Sequence, residues 1–156
     1  PRVSIQSGRW IQPRGGWKLN SGGCSRGNPG MSGGGGVVRD CHGNFVFGYS
    51  EFFGTMSSLH AELRGLLVGI KHCMDRGFQQ LHVEADSLTL IRIVQGDSAC
   101  PWQLQRELDV LLQFRHCFHS VTHCYREATH RLIVWQTMGL ILSQGRSLLL
   151  LRIYPG

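Results

Sequence analysis

Apolar residues fall at helical spacing from Leu59 through Leu63, Leu66 and Leu67 to Ile70, just behind Ser57 and Ser58. A serine ahead of such a run can accept a hydrogen bond from a free amide of the first turn. The pattern therefore predicts a helix from this serine pair to about Gly77. Leu81, Val83 and Ala85 then alternate with His82, Glu84 and Asp86, the period of a strand with one buried face. Leu88, Ile91 and Val94 give a second helix stopped at Gly96. Pro101 suits the start of a third, outlined by Leu104, Leu108, Leu111, Leu112 and Arg115. Val121 to Arg126 reads as a strand. Leu132 to Leu142 is apolar enough for a buried helix, although its amphipathic period is poor.

Upstream of the first helix the pattern is extended. Gly16 to Asn20 starts a strand, Val37-Val38-Arg39 continues a second, and the aromatic-rich stretch from Phe45 to Phe53 makes a third. Asp40 to Asn44 has turn chemistry, and the Gly-dense stretch from Gly22 to Gly36 reads as a tight connection. A three-strand meander followed by alternating helices and strands implies an α/β fold, a mixed five-stranded sheet flanked by helices. The expected division is a linker or leading arm at 1–15, one domain at 16–142 and a C-terminal tail at 143–156.

Composition narrows the class. A chain of 156 residues with 42% hydrophobic residues can bury one core, which excludes global disorder. Its apolar runs, such as Leu148 to Leu151, are far shorter than the roughly 20 residues of a membrane span. The chain starts at Pro1 with no basic-then-apolar leader, which reads as a fragment. A net charge of +6, scattered mostly as Arg, permits a polyanionic partner without requiring one. The six Cys form no CxxC pair, so reduced thiols and an intracellular setting are expected. The stretch from His116 to Cys124 is the best zinc candidate, against a favoured reading as packing Cys and surface His. Gly27 to Gly36 invites a phosphate-loop reading, but it lacks GxxxxGK[ST] and no Lys follows.

Six motifs in fixed order carry a stronger signal. They are Trp17-Lys18-Leu19-Asn20-Ser21-Gly22-Gly23-Cys24-Ser25, Gly27-Asn28-Pro29-Gly30, Val37-Val38-Arg39-Asp40 with Gly43, Ala61-Glu62-Leu63, Val83-Glu84-Ala85-Asp86-Ser87, and His123 with Arg126-Glu127-Ala128. Together they resemble the ribonuclease H family, specifically the domains of plant retroelement-derived, reverse-transcriptase-like proteins. The resemblance runs from about Trp10 to the C-terminus and implies hydrolysis of the RNA strand of RNA–DNA hybrids. It also implies two Mg²⁺ ions held by four carboxylates, because paired hard cations need oxygen ligands to activate water and stabilise the leaving oxygen.

Residue by residue, the resemblance places metal ligands at Glu62 and Asp86 and an assisting loop histidine at His123. It places hybrid contacts at Gly23, Cys24, Asn28 and Ser87. It also exposes departures. The first-strand Asp falls on Gly22, and the last-helix Asp falls on Ile133 or Val134, both apolar. Thr129 stands where the family has Asn. With two of four carboxylates gone, Mg²⁺ binding should be weak, since that ion dehydrates reluctantly and wants near-octahedral order. Three readings follow: a nuclease with impaired or lost catalysis, a non-catalytic hybrid- or RNA-binding module, and a decaying retroelement product. A monomeric isolated domain with no membrane partner is expected in each.

Overall fold

The computed structural model describes residues 15–124 and 148–151. Three long strands open the domain: β1 (Trp17–Gly27), β2 (Gly30–Asp40) and β3 (Phe45–Met56). Helix α1 (Ser58–Asp75) crosses to β4 (Leu81–Ala85), followed by α2 (Leu88–Gln95), α3 (Gln105–Leu112) and β5 (Phe118–His123). A short β6 (Leu148–Leu151) completes one sheet in the order β5-β4-β1-β2-β3-β6. β1, β2, β3 and β6 pair antiparallel, while β4 runs parallel to both β1 and β5. Helical crossovers between β3, β4 and β5 make those parallel pairings possible.

The five expected strands are present, and the sheet gains a sixth. β6 falls where the pattern assigned no element, because four leucines in a row carry neither strand alternation nor a flanking turn signal. β5 begins three residues before the expected Val121. The predicted helix at Leu132 to Leu142 lies outside the described residues.

The glycine-rich stretch departs most from expectation. It is not a connection. Gly33 to Gly36 lie inside β2, opposite Cys24 to Ser21 of β1, and the turn proper is only Asn28-Pro29. The reason is lack of room: Cβ atoms at Gly35 and Gly36 would meet the Tyr49 and Asn20 carbonyl oxygens, and Gly34 faces α1. A Cβ at Gly23 would stand 2.5 Å from the Glu62 amide nitrogen, and one at Gly65 would stand 2.7 Å from the Gly22 carbonyl oxygen. A Cβ at Gly34 would meet the Gly65 Cα at 3.0 Å. Helix and sheet touch backbone to backbone along this seam.

Tyr49 seals it. Its hydroxyl donates to the Gly65 carbonyl at 2.8 Å, and Gly36 and Gly69 leave the space its ring tip occupies. Leu19, Val38 and Phe47 from the sheet and Leu63, Leu66 and Ile70 from α1 fill the rest of the interface. α2 and α3 add Leu90, Ile91 and Leu111 to the same core. Beside this apolar layer, Lys18 is 3% exposed and pairs with Glu84, Nζ to Oε1 at 2.6 Å. That ion pair ties β1 diagonally to β4.

Gly65→Ala and Gly69→Ala test the seam. Alanine raises helix propensity by about 1 kcal/mol at an exposed site. Here each should instead lower stability by about 1–3 kcal/mol, the usual cost of overpacking. Denaturant midpoints at or above the parent would show that the helix can lift off the sheet without loss.

Candidate functional site

The register of β1 against β4 ends at Ser21 opposite Ala85. One step further, Gly22 stands level with Asp86, where the β4 chain turns into α2. Gly23 lies under the turn of α1 that carries Glu62. Three segments thus bring Gly22, Gly23, Glu62 and Asp86 to one end of the sheet. Both carboxylate residues are half-buried.

Each neighbouring element is fixed by a local device. Ser87 caps α2, its hydroxyl oxygen accepting from the Leu90 amide at 3.2 Å. Ser57 caps α1 in the same way, accepting from the His60 amide at 3.2 Å. The β1–β2 hairpin tip is tied to this second cap. The Ser25 and Ser32 hydroxyls both reach the Met56 carbonyl at 3.0 Å. Asn28 accepts from the Ser58 amide through Oδ1 at 3.1 Å. Because that bond occupies the amide oxygen, exposed Asn28 has its Nδ2 donors to offer a ligand.

The resemblance makes His123 a loop histidine, whereas the strand read from Val121 to Arg126 includes it, and the structure agrees with the strand. His123 ends β5 rather than standing on a loop, is 6% exposed, and pairs with Ala85. Its Nε2 lies 3.1 Å from the Asp86 main-chain carbonyl, to which it donates. The strand ladder carries it inward, because the same pairing places the next amide, Cys124, on the Ala85 carbonyl at 3.0 Å. Cys124 itself is a poor nucleophile. Burial first, and then the Glu84 carboxylate, push its thiol up to about 11.

A further cluster escaped the sequence reading. Glu107 of α3 receives Arg64 at 2.5 Å and 3.3 Å and His60 at 2.6 Å, both from α1. Burial pushes the Glu107 carboxyl up, but bonds from Arg64 and His60 outweigh it and hold the group below its usual range. His60 and Arg64 flank Glu62 in sequence, so α3 grips the turn that carries it. His60 and Arg64 are spaced for one helix face, but no sequence spacing links them to Glu107.

Among the described residues the donor set at this end of the sheet holds the Glu62 and Asp86 carboxylates. Gly22 brings no side chain, and no group of three or more His, Cys, Asp or Glu among the described residues is arranged to hold a metal ion. The same holds for the stretch from His116 to Cys124 that suggested zinc. Ile133 and Val134 lie outside the described residues.

Comparison with known proteins adds ancestry. The pattern of the reverse transcriptase-like family matches residues 20–130. A provisionally named ribonuclease H protein of Arabidopsis thaliana is 34% identical over 138 residues, 82% of this chain. The chain spans about a fifth, 21%, of that relative's length. Among solved structures, LC11-RNase H1 in complex with an RNA/DNA hybrid superposes with a TM-score of 0.73 at 22% identity, covering 81% of this chain and 99% of that one. RNase H1 of the archaeon Halobacterium salinarum does so at 0.65 and 21%, covering 72% and 86%. At these identities the structural likeness shows the fold.

Two variants separate the roles of Asn28. Asn28→Ala should cost about 1 kcal/mol, the typical worth of one hydrogen bond. Asn28→Asp keeps an oxygen for the Ser58 amide and should melt within a degree or two of the parent. Equal losses in both variants, read by thermal melts, would mean the Ser58 contact contributes nothing.

Proposed function

The chain belongs to the reverse transcriptase-like family of ribonuclease H-like domains, and we propose that it binds RNA–DNA hybrids as a monomeric domain whose hydrolytic activity is impaired or lost. One observation carries the reading: the position level with Asp86 at the end of β1 is Gly22. In the family that place holds a metal-bridging carboxylate, so the loss removes the ligand that both ions share. Glu62 and Asp86 keep the ancestral metal-ligand identity. They do not form a site for two Mg²⁺ ions, and no catalytic step is assigned to them.

Binding groups survive better than catalytic ones. Asn28 presents amide donors from a turn braced on α1. The Ser87 oxygen is used by its cap, but its hydroxyl hydrogen is not spent on that bond. β4 pairs with β1 only as far as Ser21, so the main chain at Gly23 and Cys24 runs past the end of that ladder. Short donors and main chain at the end of a ladder suit a shallow minor groove lined by 2′-hydroxyls, where contacts read shape rather than sequence. His123 serves this arrangement from behind, holding the Asp86–Ser87 turn through the Asp86 carbonyl.

The purified chain should show no Mg²⁺- or Mn²⁺-dependent cleavage of a labelled hybrid above background. Cleavage that Glu62→Gln abolishes would overturn the reading. Gly22→Asp should raise Mg²⁺ affinity by calorimetry, because clustered carboxylates repel until a divalent cation neutralises them. Cleavage should stay low in that variant. Adding Ile133→Asp or Val134→Asp to Gly22→Asp should restore it in one register alone, since only one of two adjacent helical positions can face the site.

A further inference from the structure

The end of the three-strand meander nearest the candidate site carries a single charged residue type. Residues 19–38, from β1 through the hairpin tip into β2, contain no Asp, Glu or Lys, and their one Arg is Arg26. Residues 52–56 of β3 contain no charged residue. Arg26 is exposed, next to the tip residues Gly27 and Asn28.

Strand register sets Arg26 beside two more exposed side chains. It stands opposite Met31, and Met31 stands opposite Thr55, so the three form one row across β1, β2 and β3. Met31 is 47% exposed, and among the described residues only Trp102 is a more exposed large hydrophobic. Strand alternation decides which face the row occupies. A Cβ at Gly23 would meet Ala61 of α1, and one at Gly34 would meet Gly65, so Gly23, Ser25, Ser32 and Gly34 face the helix. Arg26 and Met31 therefore project from the opposite face, together with Cys24 and the Gly22 position. On the helix side the same tip is stitched down through Ser25, Ser32 and Asn28, so a fixed backbone carries the row.

We propose that Arg26 and Met31 form a backbone-binding surface for the nucleic acid, with Arg26 on a phosphate and Met31 against the adjoining sugar. The proposal rests on the nucleic-acid reading above and extends its contact set onto the outer face of the hairpin. Cys24 lies on this face between Gly22 and Arg26, so the row continues the candidate site without a break. The four-residue step from Gly22 to Arg26 spans about 13 Å. That is the axial rise of about four nucleotides of one strand. A guanidinium matches a phosphate with paired N–H donors. A flexible thioether side chain adapts to an irregular apolar surface such as a sugar. Neither contact reads a base, so both position the duplex without selecting its sequence. One Met between an Arg and a Thr is too small an apolar patch for a protein partner, and no acid in these segments opposes a phosphate.

The experiment measures affinity of the full chain for a labelled RNA–DNA hybrid across a salt series. Arg26→Gln should flatten the slope of log affinity against log salt by about 0.9, the loss of one phosphate contact. Arg26→Lys should keep the slope, because a point charge still displaces the counterion. Met31→Ser should weaken binding by about three- to tenfold with the slope unchanged, because a lost apolar contact releases no ions. All three variants should melt with the parent, since both positions are exposed. Arg106→Gln, at an exposed arginine of α3, should leave slope and affinity as they are. An unchanged slope in Arg26→Gln, or an equal change in Arg106→Gln, overturns the proposal. Full affinity in Met31→Ser overturns it too, and leaves that row to a partner other than nucleic acid. Absence of hybrid binding by the parent chain overturns the nucleic-acid reading itself, a result distinct from the loss of either contact.

Discussion

The close approach of α1 to the sheet constrains everything else in this domain. Glycines at 23, 34 and 65 let the helix backbone rest on strand backbone, at distances where any Cβ would collide. Dispersion attraction is short-ranged, so such contact gains packing that bulkier interfaces forgo. The cost is that the seam tolerates no side chain. Its benefit is positional: the α1 turn carrying Glu62 is held against Gly23, and Gly22 is held level with Asp86. A looser interface would let the helix slide, and no pair of groups at that end of the sheet would keep a fixed separation.

Around this seam the site is braced from three sides. The hairpin tip is stitched to the start of α1 by Ser25, Ser32 and Asn28. Glu107 of α3 holds the next turn through His60 and Arg64. His123 holds the chain where β4 becomes α2. The elements around Gly22, a position without a side chain, are therefore braced from several directions. Packing and capping depend on many residues at once, whereas a metal ligand depends on one carboxylate. A single substitution can therefore remove the second without disturbing the first.

The electrostatics divide along the same line. The described residues hold equal numbers of basic and acidic side chains, nine of each, and the excess lies in the remaining residues. Recognition through directed donors and attraction through net charge need not come from the same surface. A rigid edge suits hydrogen bonds, which demand geometry. Arginines on a phosphate backbone need only proximity, because counterion release depends on charge density rather than exact fit.

The sequence alone determined the order of elements from Trp17 to Cys117. Its helices are amphipathic, the first with a serine at its head, and such periodicity reports burial directly. It also determined, through six ordered motifs, the family and the candidate positions Glu62, Asp86, Asn28 and Ser87. The tertiary structure decided what periodicity cannot carry. Gly33 to Gly36 looked like a loop because glycine signals freedom locally, yet they sit in a strand, where α1 presses on Gly34 and the main chain of β3 and β1 crowds Gly35 and Gly36. β6 pairs with β3 across about 100 residues, and Glu107 meets His60 and Arg64 across more than 40. His123 fell within the strand read from Val121 to Arg126, but its burial at the end of the ladder against Ala85 is tertiary. All four depend on contacts between segments far apart in the chain, and only folding brings those segments together.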